Sequence, residues 1–156
     1  MKAAVESWLE APLGGFVREA RVRLALVLET SGKVVAQHGF TRSLDVMTAC
    51  ALAAAITASS DELGRQLDGS PFASLHHDGQ GRQLFLGGAE TRRGRLLVLA
   101  VFDDASSLGL VKLYWGALRH ALVEAAPAPA APAAPALAAD FERDLDRNLA
   151  ALFGRI

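Results

Sequence analysis

Cysteine is nearly missing from this chain. Cys50 is the single thiol in 156 residues, so no disulfide framework and no paired-thiol zinc site can form within one chain. An excess of charge of either sign is missing too. Lys and Arg total 16 against 17 Asp and Glu, a net charge of −1, which excludes the basic footprint of a nucleic-acid binder. No apolar run approaches the roughly 18 residues of a membrane span. Glu6 and Glu10 fall where a signal peptide needs an unbroken apolar region. The expectation is a cytoplasmic protein with no membrane span and no nucleic-acid partner.

Catalytic motifs are also missing. There is no G-x-x-x-x-G-K-[ST] for a nucleotide phosphate and no G-x-S-x-G elbow. Gly79-Gln80-Gly81 lacks the third glycine of a dinucleotide site and joins two strands. His76 and His77 are neighbours on a strand, so they point to opposite faces and cannot easily share a metal ion. His38 and His120 are isolated and read as surface or edge residues. Asp103-Asp104 reads as an acidic approach that complements the dipole of the helix after it. Cys50 sits among small residues of a helix and reads as a buried, inert thiol. Arg92, Arg93 and Arg95 read as a solvated basic turn. No cofactor, metal or active site is expected, so function belongs to surfaces.

What is present is a core. Hydrophobic residues make up 51% of the chain, enough for one ordinary domain with appendages. A first amphipathic helix near the N-terminus is interrupted by Pro12 and Gly14-Gly15, with a second short piece over 16–20. Val22, Leu24, Leu26 and Leu28 alternate with other residues and share one face of a strand. Thr30-Ser31-Gly32-Lys33 turns the chain into a second strand over 34–38. A long helix follows over 43–67, with Leu44, Met47, Ala51, Ala54, Ala55, Ala58 and Leu63 at spacings of three and four. Gly69-Ser70-Pro71 stops it. Strands over 72–76 and 82–88 are joined by Asp78-Gly79-Gln80-Gly81, and 91–95 turns into a third. Leu96 to Phe102 is an unbroken apolar run, the mark of a strand buried on both faces. Ser106 or Ser107 can cap the closing helix, over 107–124. The order is α-β-β-α-β-β-β-α, which predicts an α+β fold with a five-stranded, mainly antiparallel sheet.

Residues 125–139 hold ten Ala, four Pro and one Leu. Proline biases such a segment to an extended spacer. Beyond it, with Asp140 as the N-cap, Phe141, Leu145, Leu149 and Leu152 form one stripe of a second amphipathic helix. A helix of about 14 residues is marginal alone in water and needs something to pack on. That is its own domain, a twin, or a partner's groove. The domains are thus expected at 1–124, 125–139 and 140–156.

The buried strand, the acidic turn and the helix opening LGLVKL, written LVLAVFDDASSLGLVKLY in the sequence, resemble the end of a roadblock domain of the dynein light-chain type. Within that family the chain is most similar to the bacterial MglB-type regulators of Ras-like GTPases. The resemblance spans 16–124 in the order and length of elements, and the tail helix extends it. It implies a homodimer whose paired long helices form a platform for a small Ras-like GTPase of the MglA type. It implies GTPase activation or exchange in bacterial polarity or motility, with no arginine finger and with the C-terminal helix contributing. The residues placed at the partner are Ala51, Ala54, Ala55 and Ala58 of the long helix and Phe141, Leu145, Leu149 and Leu152 of the tail. The Ala/Pro spacer and the broken first helix depart from the family. Two other readings fit the same elements. One is a roadblock dimer that only scaffolds. The other is a PAS-, GAF- or profilin-like sensor whose sheet would hold a small molecule, against which Leu84, Leu86, Leu97, Leu99 and Val101 would fill the sheet face.

Overall fold

The computed structural model describes residues 6–40, 44–129 and 134–154, with only the backbone path over 134–142. Five strands form one antiparallel sheet: β1 Leu24–Glu29, β2 Val34–Gly39, β3 Ser74–Asp78, β4 Gln83–Thr91 and β5 Gly94–Phe102. Their order is β2-β1-β5-β4-β3, with β5 at the centre. The helices are α1 Ser7–Glu19, α2 Val46–Asp68, α3 Leu108–Ala125 and α4 Ala134–Phe153. The α+β class, the strand number and the element order agree with the sequence reading.

The central strand explains the layering. Leu96 to Phe102 is buried throughout, and alternate side chains enter two separate cores. Leu96, Val98, Ala100 and Phe102 meet Leu9, Leu13 and Phe16 of α1 and Val111, Trp115, Leu118 and Leu122 of α3. Leu97, Leu99 and Val101 meet Leu24, Leu26 and Leu28 of β1 and Cys50 and Ala53 of α2. Helices therefore cover both faces: α1 and α3 on one, α2 on the other. Val22 departs from the expected face. It precedes β1, next to Arg21 at φ 55°, and its side chain enters the α1–α3 core.

α1 is continuous, where Pro12 and the glycine pair predicted a break. Leu9, Leu13 and Phe16, at i, i+4 and i+7, are buried at 4% exposure or less, and that packing outweighs the hydrogen bond that proline forfeits. Gly14 has a packing reason: a Cβ there would stand 3.3 Å from the ring of His38 on β2. α2 starts at Val46, where the Asp45 carboxylate accepts from the N–H groups of Met47 and Thr48 at 3.1 and 3.3 Å. The expected start at Ser43 lies outside the described residues. Gly69, at φ 74°, ends α2 in the left-handed region. Ser107 caps α3 by accepting from Leu110 N–H at 3.2 Å.

α4 begins at Ala134, six residues before the expected cap at Asp140. Pro135 falls in its first turn, where a missing N–H costs nothing, and alanine is the strongest helix former. Residues 126–129 are not helical, as the proline content implies. Residues 130–133 lie outside the described ones.

Candidate partner-binding face

α2 presents its surfaces differently from the sequence reading. Its buried residues are Cys50, Ala53, Thr57, Ser60, Asp61 and Gly64. Of the expected apolar stripe, Leu44 and Ala54 pack against the core, whereas Met47 is 80% and Leu63 56% exposed. Several helical stripes satisfy spacings of three and four. The buried one contains an acid because an arginine meets it there. Arg95 of β5 grips Asp61 with both terminal nitrogens, Nη2 donating to Oδ1 at 3.2 Å and Nη1 to Oδ2. The guanidinium crosses Gly88, where an added Cβ would stand 2.9 Å from it. Arg93 pairs with Glu6. The basic turn is thus not simply solvated: two of its three arginines fasten helices to the sheet.

Ala51, Ala55 and Ala58 are exposed and Ala54 is half-buried. Ala51 lies toward the β1–β2 hairpin, where a Cβ on Gly32 would come within 3.3 Å of its Cα, whereas Ala55 borders a hollow shared with Ile56, Leu63, Leu75 and His77. About half a turn round the helix, Leu52 and Ile56 line a cleft of about 180 Å³, closed across the sheet by Leu75, Leu84, Leu86 and Leu99. α2 leaves this part of the sheet uncovered. Of the five side chains expected to fill the face, Leu97 is buried in the core while Leu84, Leu86, Leu99 and Val101 line an opening, and His77 is its one ionisable residue. The rest of its lining is apolar. Beside it runs β3, an edge strand with exposed backbone positions from His76 to Asp78. Leu52 and Ile56 stand outside the stripe expected from the sequence, whereas Leu63 falls within it as an expected core residue. The available signal was three large aliphatic residues at i, i+4 and i+11, obscured by the alanines around them.

Leu145, Leu149 and Leu152 of the tail are exposed at 46, 44 and 76%. The side chain of Phe141 lies outside the described residues. Among the described residues, α2 and α4 share no extended contact, so the α2 alanines and the tail leucines are not brought together.

Several of the remaining candidates have structural partners. His76 stacks on Phe102 with 6.1 Å between ring centroids and bonds Gln83 Oε1 at 2.7 Å, while His77 faces the cleft on the other side of β3. Asp103 accepts from Ala105 N–H and from Arg23 Nε, at 3.0 and 2.7 Å, and these contacts hold its carboxyl below the usual range. Burial pushes the Cys50 thiol up. Burial opposes the charge on Glu6, but the Trp8 indole N–H at 2.6 Å and Arg93 outweigh it and lower its carboxyl. Among the described residues no helix is long and apolar enough to cross a membrane.

No family model and no curated protein matches the sequence. Solved structures do match. MglB from Myxococcus xanthus is 20% identical, with a TM-score of 0.69 over 76% of this chain and 94% of that one. The gliding protein MglB from Thermus thermophilus is 25% identical, with a TM-score of 0.68 over 81% and 93%. A Roadblock/LC7 domain from Streptomyces avermitilis is 16% identical, with a TM-score of 0.62 over 76% and 95%. These likenesses extend over three quarters or more of the chain and nearly the whole of each neighbour: the chain folds as a roadblock domain of the kind seen in MglB.

Proposed function

We propose that this protein is a homodimeric cytoplasmic regulator of a small Ras-like GTPase of the MglA type, acting in bacterial polarity or motility. It has no active site of its own and works by promoting hydrolysis or exchange on its partner. The observation that carries this reading is the apolar cleft beside an unpaired edge strand. Leu52 in the cleft and Leu63 in the hollow next to it are each more than half exposed, and a second copy of α2 and β3 would bury both. Pairing two long helices along that flank leaves Ala51 and Ala58 on the outer surface of the pair, with Ala55 at its rim, where a GTPase could approach closely. The tail helix supplies a second contact through Leu145, Leu149 and Leu152. Tethering holds it at a local concentration on the order of mM, so a weak contact suffices.

The test is single-turnover GTP hydrolysis by the MglA-type GTPase of the same organism, with the full chain and with a 1–126 truncation. Stimulation that weakens on truncation is the expected result. Absence of stimulation, with no co-elution of the GTP-bound GTPase, would sink the reading. A dimer that only scaffolds would be indifferent to the truncation.

A further inference from the structure

The sheet face opposite α2 carries a second apolar opening. It is a groove of about 250 Å³ between α1 and α3, lined by Ala11, Pro12, Gly15, Tyr114, Ala117 and Ala121 among others. For scale, a cavity of about 150 Å³ accepts a benzene ring. Small residues stand four apart on both walls, Ala11 and Gly15 on α1, Ala117 and Ala121 on α3, so a third helix can approach closely. Leu113, 66% exposed, extends the apolar surface along α3. The two walls run antiparallel, because the start of α3 is tied to the end of α1 by Ser106 Oγ donating to Ala20 O at 2.5 Å.

The same chain holds a helix that lacks a seat. α4 offers Leu145, Leu149, Leu152 and Phe153 to solvent. At 20 residues it is longer than the helices that are marginal alone, but its apolar stripe is left without the tertiary packing from which helices in proteins draw most of their stability. It follows α3 after residues 126–133, which reach up to about 25 Å when extended. The stripe from Leu145 to Leu152 and the wall from Tyr114 to Ala121 each cover seven residue steps, about 10.5 Å of helix. Laid antiparallel to α3 with Leu149 near Ala117, α4 would begin about 10 Å beyond the end of α3, well within reach of the tether. We infer that α4 docks back into the α1–α3 groove of its own chain, antiparallel to α3, and that this seat holds the tail helix when no other protein engages it. The inference does not depend on the GTPase reading, because the occupant and the groove belong to one chain.

Disulfide trapping in the full chain tests it. Ala117→Cys is combined with Leu149→Cys, and the control combines Arg119→Cys, exposed on another side of α3, with Leu149→Cys. Cys50, fully buried with its thiol pushed up, stays out of the exchange. The groove pair is expected to close at least about tenfold faster than the control, as a seated helix raises local thiol concentration. Adding Ala121→Glu should return it to the control rate while circular dichroism shows an unchanged fold. Mixing isotopically labelled and unlabelled chains reads the connectivity by mass, with same-chain links expected. Equal rates for the two pairs would overturn the inference, and so would links that join labelled to unlabelled chains, which would seat α4 on a second copy.

Discussion

Asp61→Ala removes the carboxylate that holds α2 against β5, and the cost can be worked from its surroundings. The Asp61 side chain is 10% exposed and that of Arg95 21%. Removing one member of a buried ion pair costs about 3–5 kcal/mol, because the other charge stays behind without its partner. Here Arg95 retains Glu90, with Nε 3.6 Å from Oε1, but Glu90 is 78% exposed and screened by water. The expected loss is therefore about 2–3 kcal/mol, somewhat below the fully buried case. With a urea slope near 2 kcal/mol per molar, the midpoint falls by about 1–1.5 M. Urea unfolding followed by circular dichroism at fixed protein concentration measures it, since any self-association would otherwise shift the midpoint. Replacing both partners, Asp61→Leu with Arg95→Met, should recover stability to within about 1 kcal/mol of the parent. A midpoint shift below about 0.3 M for Asp61→Ala, the size of a surface ion pair, would refute the argument that this pair clamps α2.

Ala55→Arg puts a long cation on the exposed flank of α2. It should leave the unfolding midpoint within about 0.5 kcal/mol of the parent while abolishing co-elution with the GTP-bound GTPase. Gly87→Val sets a Cβ 2.6 Å from the Trp115 ring, and thermal unfolding should show a loss of about 1–3 kcal/mol from overpacking. The lowered carboxyl of Glu6 stabilises the fold above its unfolded value of about 4.5. That contribution is lost as pH falls through the lower folded value. The stability gap between the parent and Glu6→Gln should accordingly be open near neutral pH and close in acid, as urea midpoints across that range would show.

How far the sequence carried depended on which side chains had a unique solution. The strand from Leu96 to Phe102 had one: seven apolar residues bounded by Gly94 and Asp103 can only sit between two layers, and placing it fixed the sheet around it. α2 had several. Its alanines satisfy a helical period in almost any direction, so period alone pointed to Met47 and Leu63 as core, and both are exposed. What selects the true face is Asp61, an acid that looks like a surface residue until Arg95 is seen opposite it, 34 positions along the chain. A pairing that distant leaves no local mark. The error at α1 has the same origin. Pro12 and Gly14 read as punctuation, yet the helix persists because Leu9, Leu13 and Phe16 are buried against a sheet that the local sequence does not describe. Small residues were the common difficulty. Gly14 under His38, Gly88 under Arg95 and Gly87 under Trp115 each make room for a specific side chain from another element. Ala51, Ala55 and Ala58 of α2 are exposed, and among the described residues no side chain of another element is seated over them in this way. By that contrast they remain the residues to test against a partner, with the glycine sites as controls in which added bulk damages the fold itself.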